Sequence, residues 1–179
     1  APGGKSFTMA ELMGNNGKIV SMDLHDMRVG LIEDGAARLG IRIIDARRNN
    51  ALEFSGELPQ ADRVLCDVPC SGLGVIRRKP EIKYKNAEEF TELPRLQYAI
   101  LETSSRYVKS GGTLVYSTCT LSRAENDEVA ERFAAEHPDF APIVQPVPYQ
   151  GAENSFRRTY FPDANGGDGF FTASFRRIK

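Results

Sequence analysis

The stretch RVLCDVPC, residues 63–70, predicts a short buried strand that ends at an acid and leads into a proline–cysteine turn. Three other apolar runs have the character of strands: KIVSMD (18–23), IRIID (41–45) and TLVYST (113–118). Segments long enough for helices separate most of these runs. Strands that alternate with helices are typical of α/β proteins with a mostly parallel sheet. We therefore predict a doubly wound, Rossmann-like sheet.

Two amphipathic helices are predicted between these strands. The clearer one covers 26–39, where apolar residues recur every three or four positions and Gly40 suits the position just after a helix end. A longer helix is predicted over 92–109, with glycines at 111 and 112 to end it. Each helix has one apolar face, which is the pattern of a helix that covers a sheet.

The last third of the chain predicts one more helix and a closing pair of strands. Ser122 and Glu125 have the spacing of a capping box, which would open a helix that continues to about 136. The tail from 140 to 179 is rich in proline and glycine, so we expect loops and an antiparallel strand pair, with 169–175 as its clearest strand. No repeat or second domain is evident, and residues 1–179 are interpreted as one domain.

The chain begins with APGGK (1–5), a glycine turn of the kind that follows a strand. In a doubly wound sheet, the first turn of this kind follows the central strand. No strand precedes the turn in this sequence. We therefore expect the chain to be part of a longer protein, with the first strand of the sheet missing.

Composition limits the classes of protein to consider. The 179 residues are enough for one domain with a sizeable core, and three cysteines predict reduced thiols in the cytoplasm rather than disulfides. No apolar run reaches the roughly 18 residues of a membrane span, no leader-like segment is present, and the two histidines lack the spacing of metal ligands. The net charge of −1 means that any nucleic-acid interface has to be local or lie outside these residues.

A candidate nucleoside site follows from three features in register. The glycine turn at 2–4 lets backbone N–H groups approach a ligand just before a helix predicted at about 7–12. Asp23 ends the next predicted strand, and Asp45 ends the one after it. In dinucleotide-binding folds an acid at the second strand end accepts hydrogen bonds from a ribose diol, and an acid at the third could hold an adenine amine. Each feature taken alone could be a tight turn or a solvated strand end.

Two thiols are predicted at one edge of the sheet. Cys70 lies three residues after Asp67, and Cys119 follows the strand at 113–118. The carboxyl ends of neighbouring parallel strands meet where α/β proteins bind ligands. Enzymes that methylate exocyclic amines resemble one another in an Asp/Asn-Pro-Pro-aromatic motif at the place of 67–70, and here a thiol replaces the ring.

A pair of thiols facing a methyl donor suits a carbon acceptor. A thiolate that adds to C6 of cytosine makes C5 nucleophilic, so that C5 can take the methyl group. A base then removes the C5 proton, and the thiolate leaves. The charge that develops at N3 and O2 needs a proton donor or a cation, for which Asp67 and Lys5 are the candidates.

The sequence resembles the Sun/RsmB and Nop-type RNA cytosine-5 methyltransferases. The motifs that carry the resemblance are APGGK (1–5), DVPCSGLGVIRRKPEIK (67–83), GGTLVYSTCT (111–120), EN (125–126) and DGFF (168–171). The resemblance implies a class I methyltransferase fold, attack on C6 by Cys119 and assistance by Cys70 in releasing the methylated base. It implies S-adenosylmethionine as cofactor, with contacts from Ala1, Pro2, Gly3, Gly4, Lys5, Asp23, Asp45 and Asp67. The segment after Cys70 is most similar to the bacterial branch of the family, which implies ribosomal small-subunit RNA (16S) as substrate. From the resemblance we expect the family's RNA-binding N-terminal region to lie outside these residues.

A local cluster of cations follows the proline–cysteine turn. The cations are Arg77, Arg78, Lys79, Lys83 and Lys85. Beside a catalytic turn we interpret the first four as phosphate contacts for RNA, with a solvated loop as the alternative. Cys66 lies within an apolar run and is interpreted as a core thiol. Asn126 is interpreted as a first-turn helix residue, with orientation of the Cys119 loop as the alternative.

Three other functions remain as alternatives. A DNA cytosine-5 methyltransferase would use the proline–cysteine thiol as nucleophile and would need a large target-reading domain, for which this chain has no room. A relative that binds RNA without catalysis would not be expected to keep Asp67, Cys70 and Cys119 together. A transfer-RNA enzyme of the same family would have the same motifs.

Overall fold

The computed structural model describes residues 2–145, 155–162 and 166–179, and Ala87 only in its backbone. The chain divides into two compact units, Ala1–Ser55 and Gly56–Lys179. Helices and strands alternate along the first unit and along the second as far as β5, in agreement with the predicted α/β class. None of the helices in these described ranges is both long and apolar enough to cross a membrane.

The first unit contains two helices and a two-stranded parallel sheet. Its elements are α1 (Gly4–Leu12), β1 (Ile19–Asp23), α2 (Asp26–Arg38) and β2 (Ile44–Arg48). The Phe7 ring of α1 packs against α2 where Gly35 stands, because a Cβ at Gly35 would lie 2.5 Å from Phe7 Cζ. Ile32 and Ala36 form the buried face of α2, and Gly40 follows the helix with a positive φ of 68°. The helix predicted at 26–39 is therefore confirmed, except that Leu39 is 44 % exposed.

The second unit contains a five-stranded sheet and two longer helices. Its elements are β3 (Ala61–Asp67), α3 (Leu93–Ser105), β4 (Val108–Thr118), α4 (Asp127–Glu136), β5 (Phe140–Pro142), β6 (Arg157–Tyr160) and β7 (Phe170–Arg177). The order of the main path is β3-β4-β7-β5, and β6 also pairs with β7. β3 and β4 are parallel, whereas β7 runs antiparallel to β4, β5 and β6. The predicted combination of parallel strands with an antiparallel C-terminal part is confirmed.

The core of the second unit lies between the sheet and its helices. Alternate residues of β4 and β7, among them Tyr116 and Phe175, are fully buried. Leu101 of α3 and Phe133 of α4 are fully buried as well and belong to the same cluster. Cys66 of β3 is 3 % exposed within this cluster, which confirms its interpretation as a core thiol. This packing holds the carboxyl ends of β3 and β4 in place.

The prediction for the end of α3 is wrong. The helix ends at Ser105 rather than 109, and β4 starts at Val108. Val108 is fully buried and pairs with Ala61, so the strand starts before the glycines at 111 and 112. Gly111 has a positive φ of 76°, a conformation that glycine adopts without strain, and the ladder shifts register there. The glycines therefore lie inside a strand.

Two further boundaries differ from the predictions. β2 covers Ile44–Arg48 rather than 41–45, because it pairs along β1 from Ile19↔Ile44 to Asp23↔Arg48. α4 begins at Asp127, and its N-cap residue Asn126 makes no side-chain cap. The capping box predicted from Ser122 and Glu125 is therefore wrong. Glu125 is 2 % exposed and binds other parts of the second unit.

Candidate active site

The glycine turn of the first unit precedes a helix, as predicted, but α1 begins at Gly4 rather than near Phe7. Gly3 has a positive φ of 87° and is the N-cap residue of α1, and its carbonyl accepts from the N–H of Phe7 at 2.8 Å. A residue with a side chain would be strained at this φ. Gly4 and Lys5 lie in the first turn of α1, and both are exposed. Pro2 is half-buried, and Ala1 lies outside the described residues.

Asp23 lies at the carboxyl end of β1, as predicted. Its Oδ1 accepts from the backbone N–H of His25 at 3.1 Å, and Arg28 lies 3.7 Å from its Oδ2. The side chain is about one-fifth exposed. The backbone N–H therefore orients the carboxylate at the strand end, and part of it stays accessible to a ligand.

Asp45 does not lie where the sequence predicts. It is the second residue of β2 rather than its last, since the strand continues to Arg48. Arg47 donates to both of its oxygens at 3.1 and 2.8 Å, and Lys18 lies 3.1 Å from Oδ2. The hydrogen bonds from Arg47 and then Lys18 lower the pKa of Asp45 to about 2. Asp45 is thus an ionised group held by two cations of its own unit.

The second unit brings the two predicted thiols together. Asp67 of β3 pairs with Ser117 of β4, so both strands end at the same edge of the sheet. The loops that follow carry Cys70 and Cys119, whose Sγ atoms lie 3.2 Å apart. Asp67 is exposed at the end of β3. The prediction that parallel strand ends bring the thiols to one rim is confirmed.

The environments of the three cysteines differ. The side-chain hydrogen bond with Cys119 and then burial raise the pKa of Cys70, and negative charge on Cys119 raises it further. The contact with Cys119 and burial therefore both favour the protonated form of Cys70. Burial raises the pKa of Cys66 to about 12, so that thiol is inert at neutral pH.

The loops that carry the thiols are held by a buried polar cluster that the sequence analysis missed. Glu125 accepts from the Ser71 backbone N–H at 2.9 Å and from Ser71 Oγ at 2.6 Å. Gln97 Nε2 donates to the same carboxylate at 2.9 Å. The capping-box spacing concealed this role, because it accounts for Glu125 locally. The sequence offers no signal for this role, because residues 122–128 are almost all polar and suit an exposed helix start.

Asn126 orients the Cys119 loop, the alternative role that the sequence analysis gave it. Its Oδ1 accepts from Thr118 Oγ1 at 2.6 Å, and its Nδ2 donates to the Thr120 carbonyl at 3.0 Å. These two threonines flank Cys119. Asn126 therefore orients the Cys119 loop and occupies the N-cap position of α4 without capping it.

The basic segment divides into two parts. Arg78 forms an ion pair with Asp168, and Arg77 lies 3.9 Å from the same carboxylate and donates to the Gly166 carbonyl. Both arginine side chains remain about 60 % exposed, whereas Asp168 is 9 % exposed. Lys79 and Lys83 are exposed on the surface of the same segment. Lys79 and Lys83 are therefore better candidates for phosphate contacts than the arginines, because the arginines also bind Asp168 and Gly166.

The parallel α/β units, the glycine turn before α1 and the paired thiols define the class of Rossmann-like methyltransferases. Solved structures support that class. The crystal structure of PH0851 superposes with a TM-score of 0.91 and 33 % identity over 99 % of this chain and 41 % of that chain. The structure of NSun6 from Pyrococcus horikoshii with SFG gives a TM-score of 0.86 and 29 % identity over 100 % of this chain and 46 % of that chain.

The chain belongs to the 16S rRNA methyltransferase RsmB/F family, whose model matches residues 1–176. It is 47 % identical, over 99 % of its length, to the probable ribosomal RNA small subunit methyltransferase B of Bacillus subtilis (strain 168). It is 35 % identical, again over 99 % of its length, to the ribosomal RNA small subunit methyltransferase F of Vibrio cholerae. The chain covers 41 % and 39 % of the length of these two relatives.

Proposed function

We propose that the protein transfers a methyl group from S-adenosylmethionine to C5 of a cytosine in RNA, with 16S ribosomal RNA as the substrate, through a covalent bond between Cys119 and C6. The observation that supports this proposal most directly is the 3.2 Å contact between Cys70 and Cys119 at the ends of two parallel strands. Enzymes that methylate an amine nitrogen have no need for two such thiols, because the nitrogen is already nucleophilic. Membership of the RsmB/F family supports RNA as the substrate.

The proposed reaction assigns one role to each thiol. Cys119, which faces the protonated Cys70, adds as thiolate to C6 and pushes electron density to C5. Asp67 and Lys5 are proposed to stabilise the charge at N3 and O2, by proton donation and as a cation. After methylation, a base removes the C5 proton, the C5–C6 double bond re-forms and the C6–sulfur bond breaks. Cys70 is proposed to assist this release because its Sγ lies next to the sulfur that departs.

S-adenosylmethionine supplies the electrophilic methyl group when bound. The residues present fit such a cofactor, since Gly4 and Lys5 in the first turn of α1 are exposed and the carboxylate of Asp23 stays partly accessible. We propose contacts from the turn at 1–5 and from Asp23, Asp45 and Asp67. Asp45 would act as an ionised acceptor already held by Arg47. A relative whose structure contains SFG, an analogue of this cofactor, supports the assignment.

RNA contacts are proposed for Arg77, Arg78, Lys79 and Lys83, close in sequence to the loop of Cys70. Exposed lysines neutralise phosphates without reading sequence, so these contacts would position the RNA rather than select the cytosine. We also propose a cytoplasmic location, which a ribosomal RNA substrate would require.

The proposal is tested with the protein in its natural length, purified and incubated with S-adenosylmethionine and either 16S ribosomal RNA or bulk transfer RNA. Bisulfite sequencing should reveal one protected cytosine in the 16S RNA and none in transfer RNA. If a cytosine is protected only in transfer RNA, the proposed substrate is wrong but methylation at C5 is supported. Methyl incorporation without bisulfite protection would place the methyl group on another atom and contradict the C5 assignment.

A further inference from the structure

The residues that flank Cys70 and Cys119 in sequence bind the side chains of one buried cluster. We define the positioning cluster as Gln97 of α3 together with Glu125 and Asn126, which directly precede α4. Their exposed fractions are 0 %, 2 % and 1 %. A buried carboxylate and two buried amides are costly unless hydrogen bonds satisfy them, so the partners of these groups indicate what the cluster holds.

The cluster holds the Cys70 loop from both sides. Gln97 Nε2 donates at 2.9 Å to the carbonyl of Pro69, the residue before Cys70. Glu125 accepts two hydrogen bonds from Ser71, the residue after Cys70, one from its backbone and one from its hydroxyl. The loop has no ladder of its own at these positions. Its conformation therefore depends on these side chains.

The Cys119 loop is held in the same way. Asn126 binds Thr118 on one side of Cys119 and the Thr120 carbonyl on the other. Thr120 Oγ1 lies 2.7 Å from Ser71 Oγ and 3.5 Å from Glu125 Oε1, which joins the two loops. The 2.9 Å hydrogen bond from Gln97 to Glu125 closes the cluster between them. Glu125 is thus the group that both loops share.

We propose that Glu125 is the positioning residue that sets the spacing between the Cys70 and Cys119 sulfurs. It touches neither thiol, and it acts through the residues that directly follow each of them in sequence. Hydrogen bonds to an ionised acceptor are stronger and shorter than neutral ones, so a buried carboxylate fixes two loops more rigidly than an amide would. The proposal rests on the proposed function only for the roles of the thiols, because their spacing can be measured without RNA or cofactor.

The experiment measures the effective concentration of one thiol at the other in the protein of natural length. The protein is equilibrated in glutathione redox buffers, the two thiols lose two hydrogens to oxidised glutathione, and intact mass gives the fraction with a Cys70–Cys119 disulfide. Glu125→Gln removes the charge at nearly constant shape. It should lower the effective concentration by about tenfold or more, because each tenfold change needs only about 1.4 kcal/mol.

The matched control is Glu128→Gln, which removes the same charge from an exposed position on the first turn of α4. This variant should keep the wild-type disulfide equilibrium. Steady-state kinetics give a second readout, in which Glu125→Gln should lower kcat and leave the KM for S-adenosylmethionine unchanged. The pH profile of Cys70 alkylation should move to lower pH in Glu125→Gln, because separation from Cys119 removes the main cause of its raised pKa.

Ser71→Ala is a second variant that tests the role of Glu125 if Glu125→Gln does not fold. It removes the hydroxyl, with its 2.6 Å hydrogen bond to Glu125 and its 2.7 Å contact with Thr120, but leaves the carboxylate and the backbone hydrogen bond of Ser71 in place. It should lower the effective concentration in the same direction by a smaller factor. Wild-type disulfide equilibria in the folded variants would overturn the positioning role. A protein that methylates no RNA but shows the expected change in thiol spacing would contradict the proposed function and leave the role of Glu125 intact.

Discussion

Cys70 and Cys119 are 49 positions apart in sequence, yet their Sγ atoms lie 3.2 Å apart at the ends of adjacent parallel strands. At this distance the hydrogen bond with Cys119, followed by burial, raises the pKa of Cys70. A raised pKa favours the protonated form of Cys70. This agrees with the proposed roles, in which Cys119 is the nucleophile and Cys70 assists release.

Replacement of the thiols should separate their roles. Cys119→Ala should abolish both methylation and any covalent RNA adduct, because no thiolate remains to attack C6. Cys70→Ala should still attack and methylate but release slowly, so a protein–RNA species should survive denaturing gel electrophoresis when S-adenosylmethionine is present. The double variant is the control and should show no such band. An adduct in Cys119→Ala instead would reverse the two roles.

Gly74 should not tolerate a side chain. Its N–H donates to the Cys119 carbonyl at 3.0 Å, and its carbonyl accepts from Gly169 at 2.7 Å. A Cβ would lie 2.9 Å from the Cys119 oxygen and would collide with the Gly169 carbonyl. Gly74→Ala should cost about 1–3 kcal/mol in free energy of unfolding and displace the Cys119 loop. Urea denaturation measures the cost, and Gly56→Ala, which meets open space, should stay within about 0.5 kcal/mol of wild type.

The exposed lysines should contribute to RNA affinity through phosphate contacts. Lys79→Glu combined with Lys83→Glu should weaken RNA binding at low salt and flatten its salt dependence. Each lost contact should reduce the log–log slope by about 0.7 to 0.9. Filter binding over a salt series measures the slope. Lys109→Glu at the start of β4, at the other end of the strand from Cys119, is the control and should not change it.

Asp45 should make stability depend on pH at the acid end. Its pKa in the folded protein, about 2, is below its ordinary value, so its contribution is present above about pH 4 and is lost as pH falls towards 2. Asp45→Asn should lower the free energy of unfolding at pH 7 by about 1 kcal/mol, a value reduced by the partial exposure of the side chain. The variant should also lose less stability between pH 4 and 2.

Urea denaturation at several pH values tests this prediction. Asp34→Asn, an exposed change on α2, should keep the wild-type pH dependence. An equal loss of stability on acidification in wild type and Asp45→Asn would mean that the ion pairs with Arg47 and Lys18 contribute nothing measurable.

The sequence determined the features that depend on local pattern. Apolar runs located β1 and β3, and the spacing of apolar residues located α2. The glycine turn indicated α1, although the helix starts at Gly4 rather than near Phe7. The order of strands and helices was sufficient for the α/β class and for the rule that parallel strand ends meet. That rule alone placed Cys70 beside Cys119, because it depends on topology rather than on side-chain detail.

The hydrogen-bond partners of the buried and half-buried acids depend on the tertiary structure. Asp45 lies inside β2 because pairing with β1 extends that strand to Arg48, which no local pattern predicts. Glu125 has the spacing of a local cap, yet its carboxylate binds Ser71, 54 positions away. Folding buries this carboxylate, and a buried carboxylate needs hydrogen-bond donors, which the Cys70 loop supplies. The periodicity of a helix or strand is determined by residues close in sequence. Hydrogen-bond partners depend on which distant loops lie close together once the core has packed.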